Sequence, residues 1–206
     1  MEYSEKVLDH FMNPRNIGKL ENADVAATEG SPACGDQVTF YLKVNEKDLT
    51  IEDIKFLSYG CASNIATSSI TSEIVMGKTL EEAKNLTWKT IVESLDGLPN
   101  VKIHCSVLAV DALKSAIKKY EIERGLCEAE ALNEKTIMNE LRSIIYLSAG
   151  EDIVTLKMVD SVSYKDGIAV INLSLLNKEE SRCAIVSEIK EHLSKFEEIK
   201  ELIVNA

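Results

Sequence analysis

Between Gln37 and Val44 the side chains alternate without a break. Val38, Phe40, Leu42 and Val44 lie on one side and Gln37, Thr39, Tyr41 and Lys43 on the other. A period of two leaves this stretch one way to bury its apolar half, as a strand with one face covered and the other in water. Residues 22–30 before it are small and mildly β-prone, and Gly30-Ser31-Pro32 breaks that run. After it a polar turn at Asn45–Asp48 leads into a further strand-like stretch, Leu49–Tyr59. The three predict a small antiparallel meander, and its apolar face needs a cover.

Helices are the available cover. Ser4 caps an amphipathic segment to Met12 that carries Val7, Leu8 and Phe11 on one side, and Pro14 ends it. Ala62–Gly77 has Ile65, Ser69, Ile70, Ile74 and Met76 at roughly helical spacing, with Gly77 as a stop. Thr79 and Glu82 form a capping-box pattern, and Thr87–Leu95 is a short helix before the Gly97-Leu-Pro99 break. Ser106–Tyr120 is strongly amphipathic, offering Val107, Val110, Ala112, Leu113 and Ile117 to a core, with Lys118 and Lys119 expected in its last turn. The fold class expected is α+β: a small antiparallel sheet covered by helices over residues 1–125, then a second small α+β domain over 126–206. That second part reads as a helix (Lys135–Leu147), a strand (Asp152–Val159), a turn at 163–167, a strand (Ile168–Leu175), a helix (Glu179–Phe196) and a final strand (Glu201–Val204).

A formal charge of −11 argues against duplex nucleic acid as a partner, because phosphate binding needs clustered Lys and Arg. No apolar run approaches the roughly 18 residues of a membrane helix. The stretch MEYSEKVLDHF carries acids where a signal peptide has a basic start and an apolar core, so a cytoplasmic protein with no membrane contact is expected. In a reducing compartment, five cysteines (Cys34, Cys61, Cys105, Cys127 and Cys183) point to metal binding or thiol chemistry before disulfides.

Three of those thiols sit at turns or helix starts. Cys34 lies in the tight Ser31-Pro-Ala-Cys-Gly-Asp36 loop, where Asp36 can aim at the same point. Cys61 follows Gly60 and opens the small-residue helix, where unpaired N–H groups favour a thiolate. His104 and Cys105 fall immediately before the next long helix. Three soft thiolates with a carboxylate or imidazole in the fourth position suit zinc, iron or an iron–sulfur cluster. A cluster meant to stay would have four cysteines, whereas Asp or His makes a weaker, exchangeable bond. The inference is a site that holds its cargo temporarily.

With these motifs in order, the stretch from Met1 to about Gly125 resembles the U-type iron–sulfur cluster scaffold family, IscU and the N-terminal domain of NifU. The likeness is carried by Tyr3-Ser-x-Lys-Val-Leu-Asp-His10, Asn13-Pro-Arg-Asn16, Pro32-Ala-Cys-Gly-Asp36, Gly60-Cys61 with its Ser-rich helix, and Leu98-Pro-x-Val-Lys-x-His-Cys105. The spacing from Cys61 to Cys105 and the presence of His104 resemble the IscU/NifU branch, not the SufU branch. The resemblance implies a scaffold, not an enzyme, that takes sulfur from a cysteine desulfurase, assembles a transient 2Fe-2S cluster from iron and passes it to apo acceptor proteins. It implies Cys34, Cys61 and Cys105 as ligands and sulfur acceptors, Asp36 as the ligand that keeps the cluster labile, and His104 as the alternative fourth ligand. It further implies an HscA/DnaK-type chaperone acting through Leu98–Lys102, where Asn100 replaces the family's second proline and loosens the extended shape. Ala62-Ser63-Asn64 also departs from the family, adding bulk and one amide beside the site.

Residues 130–206 faintly resemble the small α+β domain of NifU C-termini and MIP18-like proteins. Only Cys183 stands near the position of their cysteine motif, so Cys183 and Cys127 are read as structural and the domain as one that docks partners or forms a homodimer. Two other readings use the same thiols. One is a structural zinc protein built on Cys34, Cys61, Cys105 and Asp36 or His104. The other is a thiol enzyme, ranked last because a nucleophilic enzyme needs one activated cysteine rather than three.

Overall fold

The computed structural model describes residues 3–31, 35–128, 131–146, 149, 151–174 and 179–206. The chain divides into two compact units, Met1–Glu128 and Ala129–Ala206. The first opens with helix α1 (Glu5–Met12), whose cap Ser4 accepts the Val7 N–H, and continues into strands β1 (Val25–Ser31), β2 (Asp36–Val44) and β3 (Ile51–Tyr59). These form the expected meander, antiparallel in the order β1-β2-β3. Alternation does what the sequence demands: Val38, Phe40, Leu42 and Val44 are all buried, as are Ile51, Ile54 and Phe56 on β3. At roughly 1.5–3 kcal/mol for each large apolar side chain fully withdrawn from water, this one face accounts for much of the drive to fold.

The cover is helical. Helices α2 (Ala62–Val75), α3 (Leu80–Lys84), α4 (Trp88–Ser94) and α5 (Ile103–Glu123) follow, with a 3₁₀ turn at Asn100–Lys102 leading into α5. The capping box of Thr79 and Glu82 is present. Helix α5 lies across β1 and β2 and buries Val110, Ala112, Leu113 and Ile117, while α2 packs between α1, β3 and α5.

Three expectations for this unit need correction. Helix α1 buries Val7 and His10, while Leu8 and Phe11 are exposed, because the α2 surface it meets is polar. In α2 most buried positions belong to hydroxyls and amides (Ser63, Asn64, Thr67, Ser68, Ser69, Thr71 and Ser72), beside the apolar Ala66 and Val75, and the isoleucines are only partly covered. Small side chains let three neighbours approach closely. Some of their hydroxyls are satisfied within the helix, as where Ser68 donates to Asn64 C=O at 2.8 Å and Ser72 to Ser69 C=O at 2.7 Å, while Ser69 Oγ meets His10 Nδ1 at 2.9 Å and Thr71 Oγ1 has no partner among the described residues. Finally, α5 begins at Ile103, so His104 and Cys105 lie in its first turn and not before it. It also runs past Lys118 and Lys119 to Glu123, leaving no basic residue in the last turn.

In the second unit, α6 (Glu134–Leu141) is capped by Asn133 and followed by a two-residue antiparallel pair, β4 (Ile145–Tyr146) and β5 (Glu151–Asp152). Strands β6 (Val159–Lys165) and β7 (Ile168–Leu173) form a hairpin, helix α7 (Glu179–Leu193) crosses over, and β8 (Glu201–Asn205) pairs parallel to β7. The strand expected at 152–159 is interrupted: Asp152 ends β5, residues 153–157 form a turn, and Val159 opens β6. The Asp152 carboxylate accepts the N–H groups of Val154 and Thr155, which bends the backbone that the apolar residues alone would extend. The helix expected to Leu147 stops at Leu141, and Leu147 and Leu175 lie outside the described residues. Ile137, Leu141, Ile171, Ile189 and Leu193 form the core.

Candidate functional site

Strand β2 starts at Asp36, β3 ends at Tyr59, and α2 starts after Cys61, so two strand ends and a helix start share one end of the sheet. Gly60 makes the junction possible. Its φ is +154°, and a Cβ there would stand 2.1 Å from Asp36 Oδ1 and 2.6 Å from Asn64 Nδ2. That close approach lets the Asp36 carboxylate accept the Cys61 N–H at 3.1 Å, while Asn64 Nδ2 donates to Tyr59 C=O at 3.1 Å. Cys61 is the N-cap residue of α2, in an extended conformation.

Helix α5 delivers the other half. Thr67 Oγ1 donates to Cys105 C=O at 3.1 Å, which fixes the first turn of α5 against the middle of α2. Cys105 Sγ then lies 3.6 Å from Cys61 Sγ, 3.4 Å from His104 Nε2 and 3.8 Å from Asp36 Oδ2, and His104 Nε2 is 3.2 Å from the same carboxylate oxygen. The donor atoms of Asp36, His104 and Cys105 all fall within 4.8 Å of one another, and Cys61 joins them through Cys105. Of the five residues expected at the site, Asp36, Cys61, His104 and Cys105 come together. Cys34 lies outside the described residues.

Electrostatics divide the two sulfurs. The Cys105 thiol, hydrogen-bonded to the Cys61 sulfur, holds the Cys61 pKa down at about 5 against the cost of partial burial, helped by the Asn64 N–H at the helix start and by Lys102. Cys105 moves the other way: sharing its proton with the Cys61 thiolate raises it, and complete burial and the nearby Asp36 carboxylate act in the same direction. The first thiolate to form is therefore favoured on Cys61, with the proton kept on Cys105. The Lys102 ammonium is raised in turn, chiefly by the Cys61 charge.

Lys102 and Gly60 complete this arrangement, although neither is a metal donor. Lys102 precedes Cys105 by three positions at the start of a helix, a spacing visible in the sequence. The dependence of Asp36 on a missing side chain at Gly60 is a through-space relation with no local mark. Cys127 is partly exposed and Cys183 exposed on α7, and both are free thiols. Among the described residues no helix is long and apolar enough to cross a membrane.

Residues 2–128 match the NifU-like N-terminal domain family. The iron-sulfur cluster assembly scaffold protein IscU 1 of Archaeoglobus fulgidus is 50% identical over 142 residues, spanning 69% of this chain and 90% of its own. The iron-sulfur cluster assembly scaffold protein IscU of Escherichia coli K12 is 50% identical over 127 residues, spanning 60% and 98%. Among solved structures, the N-terminal part of a nitrogen-fixing NifU-like protein from Brucella abortus aligns over 57% of this chain and 92% of its own, with 24% identity and a TM-score of 0.46.

Proposed function

The chain belongs to the NifU-like N-terminal domain family, and on that premise we propose that it is a scaffold on which a 2Fe-2S cluster is built from iron and desulfurase-derived sulfur and then handed to apo acceptor proteins. The convergence of Asp36, Cys61, His104 and Cys105 on one point carries this reading. Cys34, Cys61 and Cys105 supply the soft thiolates that iron and zinc both accept. Asp36 supplies a hard oxygen whose bond is weaker toward a sulfide-bridged iron, so it is the ligand that lets the cargo leave. His104, 3.2 Å from Asp36 on the same side, is the alternative fourth donor. Lys102 offsets the negative charge that gathers as thiolates form.

The desulfurase and the acceptors are the partners this chemistry requires. An HscA/DnaK-type chaperone would read Leu98–Lys102, whose last three residues form a 3₁₀ turn that must open to be bound as an extended strand. A cytoplasmic setting, where free thiols persist, belongs to the same reading.

Anaerobic mixing of the full chain with ferrous iron, cysteine and a desulfurase should generate visible thiolate-to-iron absorption, and the colour should move to an added apo-ferredoxin. A structural zinc site on the same donors is the second reading, favoured by how closely Asp36, His104 and Cys105 already approach. A chain that stays colourless under those conditions and retains one tightly bound zinc would establish it and displace the scaffold.

A further inference from the structure

The three-stranded sheet of the second unit has two outer strands, β6 and β8, and only β6 is guarded. It carries Asp160 and Lys165, its pairing with β7 slips between Val159 and Ser161, and α6 packs against it. Charge, irregular pairing and a covering helix keep an edge from pairing with another chain. Strand β8 pairs with β7 in unbroken parallel register, from Ile168 opposite Glu201 to Asn172 opposite Asn205, and only its first residue, Glu201, is charged. The neighbouring Lys200 does not guard it either. Its side chain lies over Gly167 at the β6–β7 turn, where a Cβ would stand 3.0 Å from Lys200 Cδ.

The ladder fixes which backbone groups are left over. Glu201 N–H donates to Gly167 C=O at 3.2 Å, so Glu201, Ile203 and Asn205 turn their N–H and C=O groups toward β7. Leu202 and Val204 turn theirs outward, and these four groups have no partner among the described residues. The Leu202 and Val204 side chains pack on the core but are only partly covered, and Ile203 is 38% exposed on the opposite face.

We propose that the outer edge of β8 is a self-recognition surface, on which two copies of this chain pair antiparallel and join two three-stranded sheets into one of six. Register and charge single out a second copy as the occupant. With the two-fold axis at Ile203, Leu202 exchanges both backbone hydrogen bonds with the partner's Val204 and Val204 with the partner's Leu202, which uses all four outward groups of each strand. Ile203 meets its own counterpart in the close, non-hydrogen-bonded position. Glu201 falls opposite the partner's Asn205, an acid against a neutral amide, whereas a parallel copy in the same register would set two Glu201 carboxylates side by side. The inference concerns the second unit and stands apart from what the first unit carries.

The test is sedimentation equilibrium of the full-length chain, kept reduced so that no disulfide contributes. A reversible monomer–dimer equilibrium is expected, with a Kd on the order of 10 μM for so small an interface. Ile203→Lys sets two ammonium groups against each other across the axis and should weaken the dimer at least about 10-fold, with the far-UV circular dichroism unchanged because the side chain points away from the core. A cross-link gives a reading that does not depend on that variant's folding. Antiparallel non-hydrogen-bonded pairs hold their Cα atoms about 4.5 Å apart, within the span of a disulfide. Mild oxidation of Ile203→Cys should therefore join the two introduced thiols, identified by peptide mapping. Glu201→Cys mixed with Asn205→Cys should link in the same way, and neither of those variants alone should link through its introduced thiol. A parent chain that stays monomeric at about 200 μM, far above that Kd, would overturn the proposal. So would a dimer as strong in Ile203→Lys as in the parent, or Glu201→Cys linking to itself.

Discussion

Replacing Gly60 by alanine tests whether the site is built on one close approach. The added methyl would stand 2.1 Å from Asp36 Oδ1, 3.0 Å from Asp36 Cγ and 2.6 Å from Asn64 Nδ2. None of these groups is free to retreat without loss. The Asp36 carboxylate holds the Cys61 N–H at 3.1 Å and faces His104 Nε2 at 3.2 Å, and the Asn64 amide holds Tyr59 C=O at 3.1 Å. Losing a hydrogen bond to a charged group costs about 1.5–3 kcal/mol and losing a neutral one about 0.5–1.5 kcal/mol. A non-glycine residue in a sparsely populated positive-φ conformation adds roughly 1–3 kcal/mol. One relaxation relieves part of all three, so the expected net loss is about 3 kcal/mol. For a unit of this size that lowers the thermal midpoint by roughly 10 °C. Trp88, the single tryptophan, lies on α4 of the same unit, so its fluorescence follows the relevant transition. A double-mutant cycle with Asp36→Ala makes the test specific: with the carboxylate gone, Gly60→Ala should cost at least about 1 kcal/mol less. A midpoint within about 2 °C of the parent, or strictly additive effects, would refute the reasoning.

The same geometry leads to three further expected outcomes. Alkylation of Cys61, mapped by mass, should be half-maximal near pH 5, where Cys105 holds its pKa; Cys105→Ala should move that inflection toward the ordinary thiol range near about 8.5. Buried His10 has its pKa lowered, first by desolvation and then by Arg15, so the unfolded chain takes the proton first. Stability is then full above about pH 6.5 and falls as pH drops below it, and urea midpoints at about pH 7.5 and 5.5 should differ less in His10→Asn than in the parent. In Asp36→Ala, transfer of an assembled cluster to apo-ferredoxin should slow because the weak oxygen ligand is gone, and transfer as fast as in the parent would remove that role from Asp36.

Much of the first unit was legible because its rules are local. The alternation from Val38 to Val44 has one burial solution, and the Ser4 and Thr79 caps satisfy helix N–H groups with side chains only a few residues away. Where the structure departs from the local pattern, a neighbour distant in sequence overrides it. The polar surface of α2 drew His10 inward and left Leu8 and Phe11 outside. The second unit was harder because its strands are short and one side chain, Asp152, turns the backbone where apolar residues suggest a strand.

For the site, the primary structure determined which donors exist and that each stands at a strand end, a turn or a helix start, since Gly, Pro and the end of each apolar period mark those places within a few residues. It could not decide that Cys61 and Cys105 touch, that one is partly open and the other sealed, or that Asp36 serves the Cys61 backbone and His104 at once. Those relations depend on how far apart α2, α5 and the edge of the meander sit. That spacing is set by the small hydroxyl side chains buried on α2 and by an absent methyl at Gly60, neither of which has meaning until the helices are packed.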